Sequence, residues 1–387
     1  MTKLSICIPV EAGKSAPVRL ATELLANPNA DLEIIVAFCG DDCRDADALY
    51  AMAEQEPRLM ILPTAPADIS PCHHWLGTVA AMRGEWVTVI RPDDAIEPDI
   101  AEFIAHAEEK VPGIDAFSWN NFQIDANCRR DIPASVAIPM QHHTRELDKD
   151  DLITKGFKWV DSSNVPSMAY GIYHAAISRS LLETVLANSG ELSWQTPLPQ
   201  YEWATRVLIY AQKFGFSSRP LSAIDAHRYI PGSVGPVMAD FPFHAGIGLT
   251  AAIAEIHARV LRDLDIDWEN FDENFVRACM IDCLLENRED DFEAMAQRYY
   301  AAIQKMDGGR LASTFRPPYM AEPEADLRRG RRGMLVFANR FIGNAHTAAD
   351  FFSVARHMLA SIEIVRVTAS SELLEEQEDS QLRRARA

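Results

Sequence analysis

Apolar residues in the first third of the chain come in short unbroken runs, separated by stretches with helical spacing. Leu4–Val10 is rich in β-branched residues and is closed by Pro9 and the Glu11-Ala12-Gly13 turn, which predicts a buried strand. Val18, Leu20, Ala21, Leu24 and Leu25 then share one helical face over Pro17–Ala26, stopping at Asn27-Pro28-Asn29. Leu32–Phe38, Leu59–Leu62, Trp86–Ile90 and Ala116–Trp119 predict further strands, and Asp45–Glu54, Trp75–Met82 and Ile100–Ala107 predict helices between them. Such alternation with short connections is the mark of an α/β fold, a mostly parallel sheet with helices on both faces. Strands covered on both faces read as continuous apolar runs, as these do. Ligands in such sheets lie beyond the carboxyl ends of the strands near a switch in strand order, so the chemistry is expected after Val10, Phe38 and Ile90.

From Gln123 to about Lys158 the pattern weakens into loops and short strands. Ala175–Leu186 and Gln200–Phe214 predict amphipathic helices, and beyond Pro236 the composition predicts a helical C-terminal region with segments near 244–263, 271–285, 291–305 and 347–362. The expected division is 1–125, 126–238 and 239–387, with the main boundary near residue 238.

Charge narrows the function classes. A net charge of −19 gives no general attraction to nucleic acid or anionic lipid, so a phosphate-bearing ligand must be held locally. No apolar run reaches the length needed to span a bilayer, and the N-terminal run is too short for a signal peptide, which predicts a cytoplasmic protein. The seven cysteines contain no Cys-x-x-Cys pair and are expected to be reduced thiols. Arg328–Arg332 with the following Met334-Leu335-Val336-Phe337 is the single basic–apolar run of this acidic chain. Its plain reading is a solvated loop or a packing contact, and its alternative is peripheral contact with the inner face of a membrane. The charged segment Ser370–Ala387 is helix-prone and is expected to fray or pair with another copy, as in a homo-oligomer.

The most informative stretch runs from Gly84 to Pro98, a buried strand ending in Asp93-Asp94. Adjacent carboxylates at a strand end suit Mg²⁺ or Mn²⁺. Taken alone, the pair fits an Asp94 that caps a turn beside a solvated Asp93 at least as well. Context widens the picture. Ile8-Pro9-Val10, Ala81-Met82-Arg83-Gly84-Glu85 and Asp93-Asp94 followed by Pro98 resemble, in order, motifs of the inverting family-two glycosyltransferases with the GT-A fold (Rossmann-like). Ile177-Ser178-Arg179-Ser180-Leu181-Leu182, Tyr201-Glu202-Trp203-Ala204-Thr205-Arg206 and His227–Val234 resemble later ones.

That resemblance implies transfer of a sugar, with inversion, from a nucleotide-sugar donor to a glycan or lipid-linked acceptor, as in polysaccharide assembly. It places the donor against Pro9, Val10, Glu11, Cys39, Arg91 and Asp93, a divalent metal on Asp94 and His227, and the general base at Glu202. The plain alternatives are a Glu202 paired at the surface with Arg206 one helical turn on, and a structural His227. The chain departs from the family where Glu11 follows the first strand, where Phe38-Cys39-Gly40 stands in place of a base-reading acid, and where Arg91 replaces the first acid of Asp-x-Asp. An arginine there can meet the diphosphate directly or pair with the neighbouring aspartates. His73-His74-Trp75 and Trp119-Asn120-Asn121 are further candidates to compensate. The competing expectation is a non-catalytic GT-A-like binding protein; a nucleotidyltransferase ranks last, because Glu11-Ala12-Gly13-Lys14 only faintly echoes a phosphate loop.

Overall fold

A computed structural model describes residues 3–28, 31–127, 130–131, 134–162, 170–227, 229–233, 237–241, 246–321 and 326–367. Arg228, Val234, positions 244–245 and the 370–387 tail lie outside them. The first half of the chain runs β1 (Leu4–Val10), α1 (Val18–Leu25), β2 (Leu32–Phe38), α2 (Ala46–Ala53), β3 (Leu59–Ile61), α3 (Pro71–Ala80), β4 (Trp86–Val89), β5 (Ala95–Ile96), α4 (Ile100–Lys110) and β6 (Ala116–Asp125). Then come β7 (Ser135–Pro139), β8 (Thr144–Leu147), α5 (Lys149–Leu152), β9 (Ala175–Ser178), α6 (Arg179–Ala187), α7 (Pro199–Tyr210) and β10 (Phe214–Ala226). The remainder is α8 (Leu249–Asp263), α9 (Phe271–Leu284), α10 (Glu289–Ile303), β11 (Gly330–Arg332), β12 (Leu335–Asn339) and α11 (Ala348–Ala355).

The main sheet has nine strands in the order β3-β2-β1-β4-β9-β6-β10-β5, with β8 also on β10. β1 to β4 are mutually parallel, β9 runs against both β4 and β6, and β6 lies parallel to β10. The sheet is buried on both sides, as the unbroken runs predict. Leu4, Ile6, Ile8 and Val10 pack on the side of α1 and α4, whereas Cys7 faces the opposite core with Trp75 of α3 and Trp203 of α7.

Several motif residues serve this frame. A Cβ on Gly84 would sit 2.7 Å from the Ser5 nitrogen, so only glycine permits the approach of that turn to β1. Arg179 donates to the Gly84 carbonyl at 2.7 Å, tying the start of α6 to the start of β4.

Three expectations need correction. The helix expected over Ala175–Leu186 is split: Ala175–Ile177 is wholly buried and becomes strand β9, and the Ser178 hydroxyl then caps α6 by accepting from the Leu181 N–H at 3.2 Å. The helix expected to Phe214 stops at Tyr210, and Phe214 opens the long β10, whose strand character is masked by Gly215, Arg219 and Pro220. The register slips on both sides of Pro220, an irregularity that accommodates a residue without an N–H. The C-terminal third is not wholly helical, because β11 and β12 return to β7 as a three-stranded sheet. The later chain also contributes to the cores of the sheet: Ile362 and Val365 join the core of β1 and β2, while Ala338, Phe351 and Phe352 pack with Phe122 and Ala223.

Among the described residues no helix is long and apolar enough to cross a membrane, and Cys7, Cys39, Cys43, Cys72, Cys279 and Cys283 are free thiols.

Candidate active site

The order β2-β1-β4 puts the switch point between β1 and β4, so their carboxyl ends flank one crevice. Glu11 leaves β1 exposed on one wall and Arg91 leaves β4 exposed on the other. Pro9 and Val10 are buried in β1, with the Val10 carbonyl accepting from the Cys39 N–H at 3.0 Å. Cys39 is itself buried, its thiol donating to the Pro66 carbonyl at 3.2 Å. Asp42, which follows Phe38-Cys39-Gly40, accepts from the Gly13 N–H at 3.0 Å and links the loops after β2 and β1.

Asp94 is buried, and one oxygen does nearly everything the structure records for it. Asp94 Oδ2 accepts from the Arg91 N–H at 3.0 Å and from the Tyr173 hydroxyl at 2.7 Å, and meets His174 Nε2 at 3.1 Å. His174 Nδ1 lies 2.7 Å from Ser222 Oγ, which also accepts from the Trp119 indole N–H at 2.8 Å. A proton on His174 Nε2, with the Ser222 hydroxyl donating to Nδ1, satisfies every member of this chain. Burial, then the Asp94 charge, holds the Tyr173 phenol well above its ordinary range, so it stays a donor.

This chain fixes Arg91. Its backbone is pinned to Asp94, and its guanidinium lies 5.1 Å from the centre of the Tyr173 ring, which Trp75 buttresses at 5.7 Å. Desolvation by the surrounding wall is the largest influence on Arg91, outweighed by the combined pull of Tyr173, Asp94, Glu11 and Tyr201, so its charge persists. Asp93 is exposed and its carboxylate has no partner among the described residues. The two members of the pair therefore have opposite situations: Asp94 anchors the loop and Asp93 faces solvent.

Glu202 does not reach this crevice. It is 0% exposed, with Oε1 accepting from the Trp194 N–H at 2.6 Å and from Arg206 Nη2 at 2.9 Å, and Oε2 accepting from Arg259 Nη2 at 3.1 Å. A general base must touch the proton it removes, so the expected base is corrected to an interior ion-pair member. The preceding residue points elsewhere, since one helical step is about 100° of rotation. Tyr201 lies within the field of Arg91 and of Tyr229, and burial pushes its phenol up to about 12.

His227 is exposed at the end of β10. Its neighbour Asp225 caps α11 by accepting from the Ala348 N–H at 2.9 Å, and its carboxyl is raised chiefly by burial. Among the described residues no three His, Cys, Asp or Glu side chains come together as a metal-holding group, and the Asp94 oxygen already serves three donors. The donor set does not fit the expected divalent ion on Asp94 and His227.

Of the auxiliary candidates, His73 sits on the Ser70 cap of α3, and His74 is buried with Nε2 unpartnered among the described residues, desolvation holding its imidazole below the ordinary range. Trp119 belongs to the Asp94 chain, and Asn120 donates to the Ser218 carbonyl at 2.8 Å. Sequence reasoning missed Tyr173, His174 and Tyr201. A signal was present, because Tyr173-His174 lies just ahead of the motif-like Ile177–Leu182, and Tyr201 adjoins Glu202.

No family model and no curated protein matches the chain. Solved structures similar to it include S. aureus TarS 1-349 in complex with UDP-GlcNAc, at 13% identity and a TM-score of 0.45 over 78% of this chain and 81% of that one. The mannosyltransferase PcManGT from Pyrobaculum calidifontis, in complex with GDP-Man and Mn2+, is similar at 13% identity and a TM-score of 0.37 over 81% and 83% of the two chains. M. tuberculosis glucosyl-3-phosphoglycerate synthase is similar at 14% identity and 0.37 over 69% and 82%. With TM-scores below 0.5 these likenesses carry no weight for the chemistry, which rests on the geometry of the crevice itself.

Proposed function

We propose that this chain is a glycosyltransferase that takes a nucleoside-diphosphate sugar in the β1–β4 crevice and transfers the sugar to a glycan or lipid-linked acceptor. One observation carries the proposal: an accessible arginine stands at the switch point of the sheet, clamped over Tyr173 and pinned to the buried Asp94 chain. A fixed guanidinium is the natural partner of a diphosphate, and in a recessed site it also stabilises the charge that develops on the departing nucleoside diphosphate. Arg91 takes the part that the resemblance assigns to a metal, and Asp93 is the free carboxylate nearest to it in the chain. Glu11 and Tyr201 lie within the electrostatic reach of Arg91.

Calorimetric titration with uridine, guanosine and cytidine diphosphates, each with EDTA and with Mn²⁺, tests this. At least one nucleotide is expected to bind in EDTA, and Arg91→Ala to weaken it roughly ten- to a hundredfold, the worth of about 1.5–3 kcal/mol for hydrogen bonds to a charged group. Binding of no nucleotide under either condition would sink the proposal. A second reading, a non-catalytic carbohydrate- or partner-binding protein, is favoured by the withdrawal of both Glu202 and Asp94 from the crevice. Nucleotide binding with no sugar transfer or donor hydrolysis would select it.

A further inference from the structure

The sequence run 327–335 becomes nine successive exposed residues in the fold. β11 and β12 pair antiparallel, with Arg332 opposite Leu335, around a two-residue turn that opens on Gly333 at φ +60°. The tip is held to the rest of the small sheet, because the Met140 N–H donates to the Met334 carbonyl at 2.9 Å. Met140, Met334, Leu335 and Leu327 are 43%, 42%, 38% and 66% exposed.

The arginines among them differ in what they do. Arg328 pairs with Asp326 at 2.7 Å and lies over the Phe337 ring, and Arg329 donates to Ser135 and to the Ala134 carbonyl. Arg331 makes a single bond to the Gly333 carbonyl at 3.1 Å. Neither Arg331 nor Arg332 has an acidic partner among the described residues, in a chain whose net charge is −19. An acidic body has many carboxylates to offer, and among the described residues the hairpin tip meets none of them.

We propose that the β11–β12 tip docks on an anionic lipid bilayer. Guanidinium groups at the level of lipid phosphates, with Met and Leu side chains reaching the acyl boundary, are the two contributions such a surface rewards together. Charge complementarity selects the occupant. An extended polyanion would run past the tip onto the negative body, whereas a bilayer touched only by the tip does not, and the exposed Met140, Met334 and Leu335 gain nothing from a phosphate backbone. The small sheet packs through Ile138 and Ala338 into the cluster that holds Ala95, the residue after Asp94. The docking itself does not depend on the transferase reading.

Co-sedimentation of the full chain with vesicles tests this, using phosphatidylcholine alone and phosphatidylcholine doped with phosphatidylglycerol. Pelleting is expected only with the anionic vesicles. Arg331→Ala and Arg332→Ala should each lower the partition coefficient about fivefold, from roughly 1 kcal/mol per surface arginine, and both together about 25-fold. Met334→Ser should weaken binding further, with melting temperatures unchanged because all three side chains are exposed. Absence of pelleting on anionic vesicles, equal pelleting on neutral ones, or an unaffected double variant would overturn the proposal. So would retention on polyglutamate without vesicle binding, which would assign the tip to an acidic protein partner. Loss of vesicle binding with nucleotide affinity intact separates this surface from the crevice.

Discussion

Two buried carboxylates organise this protein, and they are solvated by the fold in different ways. Asp94 is held by a phenol, an imidazole and a backbone N–H, beside the carboxyl end of β4. Glu202 is held by two guanidinium groups in the interior, where Arg206 also meets Asp263 at 3.2 Å and Arg259 approaches Glu255 at 3.7 Å. The first arrangement leaves the nearby cation, Arg91, free to act outward. The second consumes its cations and staples α7 to α8. A carboxylate that fits a catalytic motif is thus no guide to chemistry until its partners are known; the group left unneutralised is the better guide.

The sharpest way to break this comparison is to remove the interior charge. Glu202→Gln leaves Arg206 and Arg259 buried with inadequate compensation and should destabilise the protein by about 3–5 kcal/mol. Urea denaturation monitored by far-ultraviolet circular dichroism measures it. A variant that keeps wild-type stability but loses sugar transfer would restore Glu202 as the base and undo the contrast. The rim responds less. Asp94→Asn keeps an acceptor oxygen for Tyr173 and the Arg91 N–H but loses the negative charge, for an expected cost of about 1–3 kcal/mol. Nucleotide affinity should fall with it, because Arg91 is then poorly positioned; an unchanged affinity would detach Arg91 from the Asp94 chain.

Much of the frame was legible because it depends on neighbours in sequence. β1 and β2 are buried on both faces, and that shows as a nearly continuous apolar run, with Ser5 and Glu33 its exceptions, whatever packs on them. The position of Asp93-Asp94 at a strand end was legible for the same reason. What could not be read was which member would be buried, since the donors that claim Asp94 arrive from Tyr173 and His174, some 80 residues later. Glu202 is the same lesson on a helix. Its pairing with Arg206 follows from spacing by four and is present, but the partner that completes its burial, Arg259, lies 57 residues on. β10 escaped notice because Pro220 and Arg219 look foreign to a strand. Both are accommodated, the proline by a slip in register and the arginine by a buried pair with Glu97 at 2.7 Å and the face of Phe103.

The finest test of the rim separates the two roles of Tyr173. Its hydroxyl donates to Asp94, and its ring lies beneath the Arg91 guanidinium. Tyr173→Phe removes only the first, leaving Asp94 with His174 and the Arg91 N–H, and should cost about 0.5–1.5 kcal/mol of stability. Nucleotide affinity should barely change, since the aromatic face and the backbone pin both remain. Tyr173→Leu removes the ring as well, and should cost a further factor of two to five in nucleotide affinity, the value of about 0.5–1 kcal/mol for an exposed cation–π contact. Calorimetry on the pair of variants decides between them. Equal losses of affinity in both would mean that the hydroxyl, acting through Asp94, is what sets the arginine, and the rim would then owe its preorganisation to the same kind of buried carboxylate hub as the interior.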